Sequence, residues 1–212
     1  MKNIRCLMFD MGGVLTQDQR EDKVTEMMGI LGSGFSREAF FDAYFAERTE
    51  YDRGKIMGSE YWQRVARPLG AVVREPDFER LVHTDLESWF NMRGPMLEFL
   101  GGVRTRVGRL VLLSNIHVDG ARYLRQSEGR AWTSHFDFLI LSCEHGLLKP
   151  EIEIYELALD AAEALPNETL FIDDNADNVE GALRAGMSSF RFAGEEAFAA
   201  TLASDYELTC RA

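Results

Sequence analysis

The sequence predicts an α/β protein, a Rossmann-like parallel sheet carrying an inserted all-helical segment, and three observations point to it. From about residue 109 short apolar runs alternate with stretches of helical spacing. Residues 17–90 show helical spacing without a convincing strand. The first apolar run ends in an acid followed, one residue later, by two glycines. Strands alternating with helices of this length imply βαβ units and a parallel sheet. At 212 residues the chain can form one such core plus a smaller module.

Ile4, Cys6, Leu7, Met8 and Phe9 form the first strand and deliver Asp10 to Met11-Gly12-Gly13-Val14-Leu15. A carboxylate at the carboxyl end of such a strand sits where ligands bind in open α/β sheets, although Asp and Gly also make ordinary turns. Val24, Met27, Met28 and Leu31, then Phe40, Phe41, Tyr44 and Phe45, lie at helical spacing and are expected to pack inside a small bundle. The division expected is therefore a core of 1–16 and 91–212 with a helical insertion over 17–90.

Later elements follow the same logic. Leu110–Leu113 is a strand ending in Ser114-Asn115, Phe136–Leu141 is another, Leu170–Ile172 runs into Asp173-Asp174, and Ser189–Phe192 is a shorter fourth. Pro150 at a first helical position, with Glu151 and Glu153 in the first turn, predicts a helix over Glu151–Ala164 and puts Lys149 at the mouth of a loop. Ala203–Ala212 reads as a short strand or a loosely held tail.

The net charge of −12 argues against nucleic acid and anionic membrane partners, which it repels at long range. No apolar run approaches a membrane span, and Asp10 interrupts the first run too early for a signal peptide. Cys6, Cys143 and Cys210 are odd in number and widely spaced, which suggests neither a disulfide framework nor a zinc site and fits a cytoplasmic protein.

Three later pieces carry chemistry beside Asp10. The Ser114 hydroxyl at a strand-to-helix junction can hold phosphate oxygens, or act only as a helix cap. Lys149 can neutralise a phosphate as a point charge, or be solvated. Adjacent Asp173 and Asp174 repel each other unless a cation offsets them, and a hard cation with oxygen ligands suits them; capping of the next helix is the plainer alternative.

Asp10, Ser114, Lys149 and Asp173 are separated by 104, 35 and 24 residues, in the motifs FDMGGVL, LLSN, LLKP and FIDDNADN. In type, order and location these motifs resemble the haloacid dehalogenase superfamily, in particular its phosphatase branch with a helical cap, including bacterial sugar-1-phosphate phosphatases with a D-x-G-x-V first motif. The resemblance implies that Asp10 is a nucleophile forming an aspartyl-phosphate. It implies Mg²⁺ held by Asp10, the Gly12 carbonyl and Asp174, with Asp173 close by. Ser114 and Lys149 would hold the transferring phosphoryl group, with Asn115 assisting. The expected substrate is a small phosphorylated metabolite, a sugar phosphate being one candidate, enclosed by the helical segment acting as a cap.

Two departures from that pattern matter. Most relatives carry an acid where this chain has Gly12, and many carry one at Asn178. Asp18 and His117 are the nearby candidates to replace the proton donor missing at Gly12. Two competing readings follow, a phospholigand-binding protein without turnover and a metal-independent haloacid dehalogenase. The Asp173-Asp174 pair counts against the second, because it would repel a haloacid's carboxylate.

Overall fold

The computed structural model describes residues 2–126 and 131–208. The apolar run at the amino terminus divides at Arg5 into β1 (Lys2–Ile4) and β2 (Cys6–Phe9). The Arg5 amide donates to Glu168 O, while its carbonyl accepts from the amides of Gly108 and Arg109. β2 joins β3 (Arg109–Ser114), β4 (Phe138–Leu141), β5 (Thr169–Asp173) and β6 (Ser188–Arg191) in a parallel sheet of order β4-β3-β2-β5-β6. β1 pairs separately with β7 (Tyr206–Leu208).

The period-two pattern of these strands decides which side chains enter which layer. Leu7, Phe9, Leu110, Leu112, Leu170 and Ile172 share one hydrophobic core with Met96, Leu100, Leu124, Phe198 and Leu202. Cys6, Met8, Val111, Leu113 and Phe171 enter the other, against Ile154, Tyr155, Ala158 and Ala182. Helices over Gly94–Val103, Val118–Arg125 and Glu195–Asp205 thus cover one face, and helices over Ile152–Ala162 and Ala176–Arg184 the other. Both faces of β2 are buried, which is why it reads as continuous apolar sequence rather than as an alternation.

Between β2 and β3 the chain makes α1 (Glu21–Leu31), α2 (Arg37–Ala46), α3 (Arg48–Asp52), α4 (Gly58–Ala66) and α5 (Glu75–Trp89). Local signals define several ends. Ser36 caps α2 by accepting from the Ala39 amide at 3.1 Å, and Pro76 lies in the first turn of α5. These helices share a core of their own, built on Val24, Met27, Phe40, Tyr44, Tyr61, Trp62 and Leu81. The chain enters and leaves this helical layer side by side. Thr16 pairs antiparallel with Met92, the Gln17 amide donates to Asn91 O, and the Arg93 amide donates to Leu15 O, both at 2.8 Å.

Some expected boundaries shift. The Lys149–Pro150 peptide is cis and Pro150 precedes the helix, which starts at Ile152 with Glu151 extended as its cap. The Glu151 carboxylate is occupied by the Leu148 amide and by Arg53, which hold it outside the helix. β4 starts at Phe138, and Phe136 lies in a preceding turn closed onto Thr133. In the expected carboxyl-terminal segment 203–212, residues 203–205 end the helix Glu195–Asp205 and Tyr206–Leu208 form a short strand, β7, while Cys210 lies outside the described residues. Cys6 and Cys143 are free thiols, and burial pushes the Cys6 thiol up to about 12. Among the described residues no helix is long and apolar enough to cross a membrane.

Candidate active site

Because β3 and β5 flank β2, Ser114, Asp10 and Asp173 emerge side by side at the carboxyl ends of three adjacent strands, where the strand order reverses. The chain then turns through Gly13 at φ 69°, where a Cβ would lie 2.4 Å from Asp174 Oδ2. Only glycine satisfies both the positive φ and that approach. Gly12 differs. Its φ is not in the left-handed region, and a Cβ there would meet nothing within 4 Å among the described residues.

Lys149 is buried and its ammonium bridges two carboxylates, with Nζ 2.7 Å from Asp10 Oδ1 and 2.7 Å from Asp173 Oδ2. Burial opposes its charge, but Asp10 and Asp173 outweigh that and hold Lys149 above its ordinary range, so it stays protonated. Burial also raises Asp10, against the opposing charge of Lys149, to about 7. Asp174 is raised by burial and by the charge of Asp173. The stretch carrying Lys149 is braced by Asn115, whose Nδ2 donates to Lys149 O at 3.0 Å and whose Oδ1 accepts from the Lys149 amide at 2.9 Å.

Asp173 is fully buried and surrounded by donors. Besides Lys149 it accepts from the Asn175 amide at 2.8 Å and from Asn178 Nδ2 at 3.1 and 3.0 Å. An acid at position 178 could make no such bond when ionised, so Asn178 holds the Asp173 carboxylate in place by donating to it. One carboxylate oxygen each from Asp10, Asp173 and Asp174 lies within 4.8 Å of the others. Three hard oxygens this close, with one ammonium to offset them, form a donor set that fits Mg²⁺.

Asp10 and Lys149 open into a cavity of about 320 Å³, lined also by Ser114 and Gly12 from the sheet side and by Phe45, Arg48, Asp52, Leu86 and Trp89 from the helical layer. Phe45, expected inside the bundle, is 53% exposed, whereas Phe40 and Tyr44 are fully buried as expected. Behind this wall, Asp85 sits on the apolar face of α5 that carries Phe78 and Leu81. It accepts from Tyr44 Oη at 2.5 Å and pairs with Arg48 at 3.2 Å. Arg48 also reaches Asp52 at 3.4 Å. Several bonds dock the layer over the sheet ends. Ser142 Oγ donates to Asp52 O at 2.6 Å, Tyr51 Oη donates to Asp119 Oδ2 at 2.6 Å, and Arg53 binds Gly146 O and the Glu151 carboxylate.

Neither expected substitute acid is set up as a proton donor. Asp18 is exposed and outside the cavity. His117 lines the cavity, but burial and then Arg48 push its pKa well below the ordinary range, so the ring is neutral. Its Nδ1 accepts from the Gly120 amide at 3.2 Å, and the ring stacks on Tyr51 with centroids 4.1 Å apart. The sequence reading missed Arg48, Asp52 and Asp85. A usable signal was present in Asp85, an acid at helical spacing from Phe78 and Leu81.

Replacing Lys149 by Met leaves Asp10 and Asp173 facing each other without their shared cation. The expected loss of stability is about 3–5 kcal/mol, the cost of breaking one partner out of a buried ion pair. Urea unfolding checks this, and adding Asp173→Asn to the same variant should recover part of the loss. A Lys149→Met protein as stable as the parent would show that the bridge contributes nothing to the fold.

The model of the haloacid dehalogenase-like hydrolase family matches residues 4–186. Over 201 residues the chain is 46% identical to bifunctional epoxide hydrolase 2 of Sus scrofa, an alignment that takes in 88% of this chain but spans only 36% of that protein. It is 26% identical over 194 residues to D-ribitol-5-phosphate phosphatase of Bacteroides thetaiotaomicron, covering 89% of this chain and 91% of that one. Among solved structures, a HAD family enzyme of Bacteroides thetaiotaomicron in complex with magnesium and inorganic phosphate superposes with a TM-score of 0.72 at 25% identity, covering 91% of this chain and 96% of the other. With the motif residues gathered at the sheet ends and the match running through nearly all of the core, the chain belongs to the haloacid dehalogenase-like hydrolase family.

Proposed function

We propose that the protein is a Mg²⁺-dependent phosphatase of small phosphorylated metabolites that works through an aspartyl-phosphate on Asp10. The observation that carries this reading is the Lys149 ammonium, held 2.7 Å from both Asp10 and Asp173 at the floor of a cavity roofed by the helical layer. An oxygen of Asp10 attacks phosphorus as the bond from phosphorus to the alcohol oxygen breaks, and water then cleaves the acyl phosphate to return the carboxylate and release phosphate. Lys149 and the Ser114 hydroxyl hold the phosphoryl oxygens, and Asn115 acts through the position of Lys149. Asp10, Asp174 and the Gly12 carbonyl are the groups that would hold Mg²⁺. The ion would offset the repulsion between a carboxylate nucleophile and a phosphate dianion.

In this reading residues 17–90 are the cap, pivoting on the paired links at Thr16 and Met92, and closure excludes water from the cavity. With Gly12 in place of an acid, the departing oxygen takes its proton from water or from the substrate. That absence is also the one observation favouring a phospholigand-binding protein without turnover.

The deciding experiment assays p-nitrophenyl phosphate with Mg²⁺, then with EDTA, then with Mg²⁺ restored, alongside calorimetric phosphate binding. EDTA should lower the rate at least about 100-fold, consistent with several kcal/mol of charge stabilisation from a divalent ion, and Mg²⁺ should restore it. EDTA-insensitive turnover would remove the metal from the mechanism. Phosphate binding without any turnover would leave the binding-protein reading standing.

A further inference from the structure

The helical layer contributes three polar side chains to the lining of the cavity over Asp10, those of Arg48, Asp52 and Trp89. Two of them are already engaged. Arg48 donates to Asp85 and to Tyr44, and Trp89 Nε1 donates to Tyr44 Oη at 2.9 Å. Asp52 differs. Its side chain is 14% exposed and Arg48 Nη2 lies 3.4 Å from Oδ1 as an ion-pair partner, yet that oxygen is buried without a hydrogen-bond partner among the described residues. The buried acids nearby are supplied with donors, Asp85 by Tyr44 Oη and Asp173 by Lys149, the Asn175 amide and Asn178. A carboxylate withdrawn from water without such donors is costly, and the cavity is the side from which one can reach Asp52.

The chain around Asp52 fixes where that carboxylate stands. Tyr51 Oη donates to Asp119 Oδ2, Ser142 Oγ donates to Asp52 O, and Arg53 binds Gly146 O and the Glu151 carboxylate. Three consecutive residues are thus tied to the core that carries Asp10, which sets the distance between Asp52 and the nucleophile. Arg48 already offsets the charge of Asp52 and would repel a second cation. What the carboxylate lacks is a hydrogen-bond donor rather than a countercharge, and a neutral hydroxyl supplies one.

We propose that Asp52 determines specificity by accepting a hydrogen bond from a second hydroxyl on the leaving alcohol. The favoured substrates are then phosphomonoesters of diols or polyols that carry this hydroxyl at a set spacing from the ester oxygen. The proposal rests on the phosphatase reading and deepens it.

The test is kcat/KM for ω-hydroxyalkyl phosphates with three to six methylenes, each against the n-alkyl phosphate that carries a methyl in place of the hydroxyl. p-Nitrophenyl phosphate with Mg²⁺ is the reference. The members of a pair match in length and nearly match in leaving-group acidity, so their ratio isolates the hydroxyl. A hydroxyl that finds no partner only loses water, and its ratio falls below one. At one spacing the hydroxyl should instead be preferred at least about tenfold, the scale of one hydrogen bond to a charged group. Asp52→Leu should bring that ratio to one or below, whereas Asp52→Asn, which keeps an acceptor oxygen in place, should retain a preference for the hydroxyl. Each ratio is taken within one protein, so a general loss of stability or activity cancels. No preference at any spacing in the parent, or a preference that survives Asp52→Leu, would overturn the proposal while leaving a phosphatase. An ω-aminoalkyl phosphate preferred over its hydroxyl counterpart would overturn it too, since Asp52 would then be recognising charge. If p-nitrophenyl phosphate and every alkyl phosphate go unhydrolysed, the phosphatase reading falls and this proposal falls with it.

Discussion

Asp10→Asn should lower single-turnover phosphatase activity on the order of 10⁴-fold or more, the scale seen when a covalent nucleophile is removed. The amide nearly matches the carboxylate in shape and can still accept from Lys149 through its oxygen, but it is a poor nucleophile. The fold should tolerate the change, because Lys149 keeps Asp173 as an ionised partner at 2.7 Å and loses only one of its two. Inorganic phosphate should still bind, since Ser114 and Lys149 are untouched. Single-turnover assays, calorimetry and a thermal melt on a sample of verified mass separate these expectations. Substantial turnover by such a sample would refute covalent catalysis at Asp10.

Gly12→Asp should accelerate hydrolysis of esters with poor leaving groups by about 10²-fold, the lower end of what general acid–base catalysis supplies. The backbone makes this feasible, since Gly12 lacks a positive φ and a Cβ there meets no neighbour within 4 Å. In the phosphatase reading the alcohol departs from the unsubstituted protein without a positioned acid, so aryl phosphates should outpace alkyl phosphates steeply as leaving-group pKa falls. The substitution should flatten that dependence. A single-turnover series of aryl and alkyl phosphates measures both slopes. A dependence already flat in the parent would mean that another group supplies the proton. Asp52, a carboxyl in the cavity wall whose pKa burial raises, would then be the first to replace.

The sheet and the floor of the site were legible because each depends on local sequence. Leu110–Leu113 and Leu170–Ile172 are apolar runs long enough to be strands, and each leads directly into a polar residue that the parallel register sets beside Asp10. Legibility fell where the outcome depends on packing between distant segments. Phe40 and Phe45 are equally apolar in sequence, yet one is fully buried and the other reaches the cavity, because only the docking of the helical layer decides which face of α2 looks down. Arg53 and Glu151 lie 98 residues apart and no spacing rule links them. The break at Arg5 was invisible for the same reason, since its amide is claimed by Glu168 from the far end of the core. Gly12 and Gly13 look alike in sequence, and only the position of Asp174 shows that one is replaceable and the other is not.

The carboxylates of Asp10, Asp173 and Asp174 outnumber the single ammonium of Lys149 by two charges when all are ionised. A floor with that balance resists a phosphate dianion and attracts a divalent cation, and each ligand changes the field the other meets. Their affinities are then thermodynamically coupled. Whatever factor a cation adds to phosphate affinity, phosphate must add to cation affinity, because the coupling free energy is a single quantity shared by both. A dissociation constant measured for either one alone describes only one corner of that cycle. At limiting cation concentrations, the supply of phosphorylated ligand would itself help to determine how much of the protein is metal-loaded.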